Sequence, residues 1–281
     1  MSLNDRSEHV ILLRAAIASI EAGASPAARP GAPVRLGAAM ALDAALGGGL
    51  SGGILSEIVP AKPQDAAAAC GFALALAARL ARSTLPAKSV LWIIEDFAAQ
   101  EQGAPYGPGL IQHGLAPEKL VIVRTPRAQD ALWALEEALK TSNIIVIGEL
   151  GTHAKGYGLA ASRRLALAAR ASGTPGLIFH AGTAGGSAAA SRFEIASHAS
   201  PSASGKTRLP LPGPPSWAVR LLKARAGPDS RFGLDRDKIH LLVWDAKKGC
   251  FRDALPVPAP ANLANRPPLA PDAGEPYAKT G

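Results

Sequence analysis

Hydrophobic and polar positions follow two alternating patterns over much of the chain. Short, continuous apolar runs rich in β-branched residues are typical of buried parallel strands. Between these runs, apolar residues recur at the spacing of one helix face. This alternation predicts an α/β fold with a mainly parallel sheet and helices on both faces. The predicted strands are 54–59, 89–94, 120–123, 143–149 and 176–180, and the predicted helices include 68–80, 130–140 and 157–171.

After residue 180 the pattern becomes typical of antiparallel strands. Residues 192–195 predict a short strand, and residues 217–225 alternate apolar and polar side chains as a half-exposed strand does. A Gly-Pro-Asp turn and an apolar run at 239–244 complete a predicted C-terminal hairpin. The chain is therefore expected to comprise an N-terminal helix (7–22) and linker within 1–33, an α/β domain at 34–250, and a Pro/Ala-rich disordered tail at 251–281.

The segment 36–82 predicts a short helix, a glycine turn, a buried strand, a tight loop and a long helix, with Asp65 as the cap of that helix. Strand, loop and helix in this order are the context of a phosphate-binding loop, which reads G-x-x-x-x-G-K-[ST]. Prolines lack the amide hydrogens that bind phosphate, and a carboxylate repels it. We therefore predict a degenerate loop, although an ordinary strand–loop–helix that never bound nucleotide stays open. The diagnostic positions are Pro60, Asp65, Ala66 and Ala67.

The residues before this loop read LDAALGGGLSGGILSEIV. They resemble the segment that precedes the ATP loop of RecA-family recombinases, which reads L-D-x-x-L-G-x-G-G-L followed by G-x-I-x-E-I. Among RecA-like proteins, a degenerate loop on a chain of this length resembles most the ImuA family of inducible-mutagenesis accessory proteins. The resemblance implies a RecA-like fold. The matching residues are Leu42, Asp43, Leu46, Gly47, Gly49, Leu50, Gly53, Ile54, Glu57 and Ile58.

The magnesium-binding part of an ATP site is also expected to be altered. A magnesium-binding aspartate ends a buried strand in ATPases, and we predict that Gly148 occupies its place, with Glu149 following. Asp96 lies near the place of the residue that activates water in recombinases, but without a phosphate loop we expect it to serve in a cap or turn. His180 is expected to be structural. We predict no catalytic residue, no cofactor and no metal ligand.

Two segments could also be interpreted as nucleotide-binding sites, but the sequence supports these interpretations less well. A cryptic ATPase would use Lys62 as its phosphate contact, but this lysine lies between two prolines and ahead of Asp65. The segment Ser204-Gly205-Lys206-Thr207 ends like a phosphate loop, yet Ser200 stands where the first glycine belongs and no strand precedes it. We reject this second segment as a nucleotide site.

Composition favours an anionic partner. The 281 residues carry a net charge of +8, with a pI near 9.8, and nucleic acid is the commonest partner of a basic protein. A solvated basic surface is the alternative. Cys70 and Cys250 are too few for a disulfide framework, and Cys70 is expected in the core. The predicted DNA-binding residues are Arg163, Arg164, Arg192, Lys206, Arg208, Arg220, Lys223, Arg225 and Arg231.

The resemblance also implies partners and a setting. Members of the ImuA family are implicated in SOS-induced translesion synthesis with ImuB, an inactive homologue of Y-family polymerases, and an error-prone DnaE-type polymerase. It implies a non-catalytic adaptor, in the cytoplasm and associated with the nucleoid, with self-association through residues 7–22 as a further expectation. The sequence shows no convincing membrane segment. The runner-up is another RecA-like regulator, such as a SulA-like inhibitor of cell division.

Overall fold

The computed structural model describes residues 32–83, 88–151, 156–181, 185–200, 213–225 and 235–254. The predicted N-terminal helix, the rejected segment at Ser204–Thr207 and residues 255–281 lie outside these ranges.

A sheet of ten strands and six α-helices form the described part of the chain. The strands are β1 (Gly37–Ala38), β2 (Leu55–Pro60), β3 (Ser89–Glu95), β4 (Leu120–Thr125), β5 (Ile144–Leu150), β6 (Gly176–His180), β7 (Ser191–Ser197), β8 (Ser216–Ala224), β9 (Ile239–Asp245) and β10 (Cys250–Asp253). The helices are α1 (Met40–Ala45), α2 (Ala66–Arg82), α3 (Asp96–Gln102), α4 (Gly107–Gln112), α5 (Ala128–Leu139) and α6 (Leu159–Ser172). Short 3₁₀ turns occupy Pro63–Asp65 and Pro117–Lys119.

The sheet runs in the order β1-β10-β9-β8-β7-β2-β6-β5-β3-β4. Strands β7, β2, β6, β5, β3 and β4 are mutually parallel, as the strand–helix alternation predicts. Strands β8, β9 and β10 add antiparallel pairings, and β1 pairs in parallel with β10. The carboxyl ends of the parallel strands meet at one edge, where α/β proteins place their ligand sites.

Two layers of apolar side chains enclose the sheet. The alanine-rich helix α2 is narrow enough to lie close to one face, where its Phe72 meets aromatic rings from three strands. The ring centroids of Phe193, Trp217 and Phe251 lie 5.7, 5.6 and 5.3 Å from that of Phe72. Helices α5 and α6 cover part of the other face. The predicted arrangement of a mainly parallel sheet with helices on both faces is confirmed.

The structure extends one prediction and corrects two. The C-terminal hairpin forms as β8 and β9, but β10 and β1 extend the sheet beyond it. The boundary placed at residue 250 cuts β10, because this strand continues to Asp253 and buries Phe251 completely. Asp96, expected in a cap or turn, is the first residue of helix α3, and no side chain in the described part of the chain caps that helix. In the described residues, no helix combines the length and apolar character that a membrane crossing requires.

Candidate functional site

The loop between β2 and α2 is the counterpart of a phosphate loop, and its backbone cannot surround an anion. Pro60 and Pro63 have no N–H group. The Ala61 N–H donates to the Ile195 carbonyl at 2.8 Å, and the Asp65 N–H donates to the Lys62 carbonyl at 2.9 Å. Of the six backbone nitrogens from 60 to 65, two therefore carry no hydrogen and two already donate within the protein, whereas a phosphate loop needs successive free amides.

Asp65 fills the space before helix α2 in a different way from the predicted cap. Its carboxylate makes no capping bond to the helix. Instead, Oδ1 accepts hydrogen bonds from the Ser197 N–H and the Ser197 hydroxyl, both at 2.8 Å. The backbone hydrogen bond from Ser197 is the main reason why the pKa of Asp65 lies below its usual range. A negative charge is thus fixed where phosphate would bind, and the side chains of Ala66 and Ala67 at the helix start are methyl groups that supply neither an amine nor a hydroxyl.

The structure corrects the prediction for the second half of the site. A Cβ at Gly148 would lie 2.8 Å from the Leu135 methyl groups, so this position faces α5, away from the loop. Because side chains alternate along a strand, Glu149 faces α2. The Trp92 indole N–H donates to Glu149 Oε2 at 3.0 Å. We predicted Gly148 at the place of the magnesium-binding aspartate. The structure instead places Glu149, with its carboxyl group, on the α2 side of β5.

Glu149 is unsuited to hold a metal ion. Its side chain is buried, and Oε1 has no hydrogen-bond partner among the described residues. Burial raises the pKa of Glu149 to about 7, and the hydrogen bond from Trp92 only partly offsets this. Burial, with a smaller contribution from Glu149, also raises the pKa of the nearby Cys70 thiol. This part of the site is a poorly solvated interior, where charge is unfavourable.

The other carboxylates at this edge are bound within the protein. Glu95 Oε2 accepts a hydrogen bond from the Gly151 N–H at 2.8 Å. Asp96 pairs with Arg124 of the neighbouring strand, with 2.8 Å between Asp96 Oδ1 and the guanidinium. In the described part of the chain, no group of three or more His, Cys, Asp and Glu side chains is placed to hold a metal ion.

Glu57, a residue of the RecA-like pattern, has a structural role. It is completely buried on the α6 side of β2 and accepts hydrogen bonds from the hydroxyls of Tyr157 and Ser187. Arg192 Nε lies 2.6 Å from Glu57 Oε2. Burial alone would raise the pKa of Glu57, but these bonds outweigh it and the pKa lies below its usual range. These contacts of Glu57 hold the segment before β7 against the central strand β2.

Comparison with known proteins shows to which family the chain belongs. No protein-family model matches it. Proteins named ImuA from two strains of Caulobacter vibrioides are each 31% identical to it over 194 residues, which is 64% of this chain and 74% of the relative. The chain belongs to the ImuA family. The resemblance carried by the glycine-rich segment before β2 is thereby confirmed.

A solved structure confirms the fold expected of an ImuA-family protein. The crystal structure of the RadB recombinase superposes with a TM-score of 0.50 at 16% identity, covering 79% of this chain and all of that one. This likeness establishes a RecA-like architecture.

Within the described ranges, the predicted DNA-binding residues of this ImuA-family chain do not form one basic surface. Arg192 is held by Glu57, and Arg220 pairs with Glu194 at 2.9 Å. Lys223 Nζ donates to the Ser187 carbonyl at 2.7 Å, and burial lowers the pKa of this lysine. Lys206, Arg208 and Arg231 lie outside the described residues.

The remaining basic residues belong to or adjoin helix α6. Arg164 pairs with Glu136 of α5 at 3.2 Å. Arg163 and Arg225 instead line a surface groove beside α6, together with Arg170, which the sequence analysis did not include. The stripe of α6 that lines the groove can be recognised in the sequence, because helical spacing places four residues on the side of α6 away from the buried Leu165. They are Leu159, Arg163, Leu167 and Arg170.

Proposed function

We propose that this chain acts as an accessory protein in damage-induced mutagenesis without binding or hydrolysing ATP. The observation that carries the proposal is the loss of four backbone donors in the loop from Pro60 to Asp65. In a phosphate loop those amides supply most of the contacts to the nucleotide. Membership of the ImuA family supplies the biological setting.

Independent changes at the same site support the absence of ATP hydrolysis. Asp65 places a negative charge in the loop, and Ala66 and Ala67 lack the amine and hydroxyl that bind phosphate and magnesium. Glu149 is buried, and its raised pKa means that a large part of it is protonated at neutral pH. Each change would weaken a nucleotide complex separately, so restoring one group would not restore binding.

The partners belong to the proposal as well. By resemblance to the family, the chain would connect an inactive Y-family polymerase homologue with an error-prone DnaE-type polymerase during SOS-induced translesion synthesis. It would do so in the cytoplasm at the nucleoid. DNA binding is the weaker alternative, because Arg192, Arg220 and Lys223 are bound within the protein.

This function can be tested by measuring the mutation frequency after ultraviolet irradiation in a host strain that lacks the gene. We expect the deletion to lower the frequency of induced mutations and the wild-type gene to restore it. Lys62→Ala should restore it equally, since this lysine has no phosphate to bind. Phe193→Asp, which places a charge in the core, should fail and serves as the unfolded control.

Two results would contradict the proposal in different ways. An unchanged mutation frequency in the deletion strain would remove the role in mutagenesis. Failure of a folded, normally abundant Lys62→Ala protein would instead support the cryptic ATPase that uses this lysine.

A further inference from the structure

A groove of about 560 Å³ runs along helix α6. One wall is the outer stripe of that helix, which presents Leu159, Arg163, Leu167 and Arg170 in turn. The other side is formed by the segment that precedes β7 and by Arg225 at the end of β8. Residues 52–54 and Leu55, the first residue of β2, close it, so the groove lies at the opposite end of β2 from the loop that follows this strand.

The walls of the groove are held in place by contacts within the protein. The glycine turn before β2 approaches α6 closely: a Cβ at Gly53 would lie 3.1 Å from the Ala169 carbonyl oxygen, and its φ of 72° also favours glycine. The Ala188 N–H donates to the Ser162 hydroxyl of α6 at 3.0 Å. Buried Glu57 and Lys223 both bind Ser187. A preformed groove binds a ligand at lower entropic cost than a mobile one.

The chemistry of the lining indicates an acidic ligand with apolar side chains. Among the described residues that line the groove, three are arginines and none is Asp or Glu. Leu159 and Leu167 alternate with the two arginines along α6 and are 61% and 59% exposed. Arginine and exposed apolar area in one patch are typical of protein-binding surfaces, and the charge complements carboxylates.

Single-stranded nucleic acid fits this lining less well. Proteins that bind it combine a basic groove with aromatic side chains on which bases stack. The described lining of the groove contains no Phe, Tyr, Trp or His, and its exposed apolar side chains are aliphatic. Leucine side chains provide contacts for the leucine, isoleucine or phenylalanine of a peptide.

We propose that the groove beside α6 binds a short segment of a partner protein in which acidic residues accompany aliphatic ones. The carboxylates pair with Arg163 and Arg225, and the aliphatic side chains pack on Leu159 and Leu167. The inference deepens the accessory role proposed above and rests on it for the existence of a protein partner. Its test does not involve the nucleotide loop, so ATP binding and peptide binding can fail separately.

The experiment measures fluorescence polarisation of labelled synthetic peptides that mix Asp and Glu with Leu, Ile and Phe in varied order. Peptides with Lys in place of each acidic residue and a labelled oligothymidylate are the comparison ligands. We expect acidic peptides to bind the full chain in the micromolar range. Arg163→Glu and Arg225→Glu should each weaken binding by about tenfold or more, because each change replaces an attraction with a repulsion.

The matched control is Arg164→Glu, which makes the same change of charge one residue further along α6 but outside the groove. It should alter peptide affinity by less than about twofold. Leu167→Ser tests the apolar contact and should weaken binding severalfold with no change of charge. Melting temperatures verify that each variant is folded.

Three results would overturn the proposal. The first is the absence of binding by any acidic peptide up to about 100 µM. The second is an equal loss of affinity in Arg163→Glu and Arg164→Glu, which would mean a general effect of net charge. The third is oligothymidylate binding that depends on Arg163 while the peptides do not bind, which would assign the groove to nucleic acid.

Discussion

The loop before α2 and the groove beside α6 both contain charged residues in a RecA-like frame, but they differ in where those charges are directed. In the loop, Asp65 is bound by Ser197, and four of the six backbone positions from 60 to 65 offer no free N–H group. In the groove, Arg163 and Arg225 line an open surface beside two exposed leucines. A charged side chain therefore indicates a binding site only when other groups of the protein do not already bind it.

The largest effect is expected from removing a charge that stabilises the fold. Glu57→Gln removes the negative partner of Arg192, whose side chain is only 14% exposed, so we expect the free energy of unfolding to fall by about 3 kcal/mol or more. Urea denaturation measures the loss. Glu194→Gln, which breaks the more exposed pair with Arg220, should cost less than about 1 kcal/mol and is the control. Equal costs would show that the Glu57 cluster is not structural.

Glu149 provides a pH-dependent test of the buried half of the nucleotide site. Its pKa is raised from 4.5 to about 7, so the folded state retains a proton that the unfolded chain has already released. Stability of the wild-type protein should therefore fall as pH rises from about 4.5 to 7 and then level off, by about 3 kcal/mol in total from this group.

Glu149→Gln should remove this fall. The amide oxygen of Gln can still accept the Trp92 hydrogen bond, so the variant should match the wild type near pH 4.5 and exceed its stability at pH 8. Urea denaturation at a series of pH values measures both curves. Parallel curves would show that Glu149 ionises normally.

Asp65 should have a smaller effect. Asp65→Ala removes the acceptor of two hydrogen bonds from Ser197, and we expect a loss of about 1–2 kcal/mol at pH 7. Asp65→Asn retains an acceptor oxygen and should lose less than half of that. Because the pKa of Asp65 is lowered, its contribution should disappear as pH falls below its usual value near 3.8. A loss in Asp65→Asn as large as in Asp65→Ala would make the charge, and not the hydrogen bonds, responsible.

Local patterns predicted most of the fold because they record which side chains are buried. The apolar runs located the central strands, and alternation over 217–225 located β8. The same alternation places Glu149, and not Gly148, on the side of α2, since neighbouring strand residues face opposite sides. The position of a residue in a motif does not by itself give the face of the strand on which that residue lies.

The partners of the charged residues could not be predicted in this way. Ser197 follows Asp65 by 132 residues, and Arg192 follows Glu57 by 135. Such pairs form only because β7 lies beside β2, an arrangement set by the packing of the whole sheet. The helical spacing along α6 marked a stripe of Leu and Arg, but only the structure shows that Arg225 of a distant strand faces it.

The central claim is that this RecA-like chain has no ATP site, and isothermal titration with magnesium–ATP tests it most directly. We predict no measurable heat of binding with the wild-type protein and with Lys62→Ala, because the loop lacks most of its free backbone donors and contains the charge of Asp65. A micromolar dissociation constant for the wild type that is lost in Lys62→Ala would contradict the account.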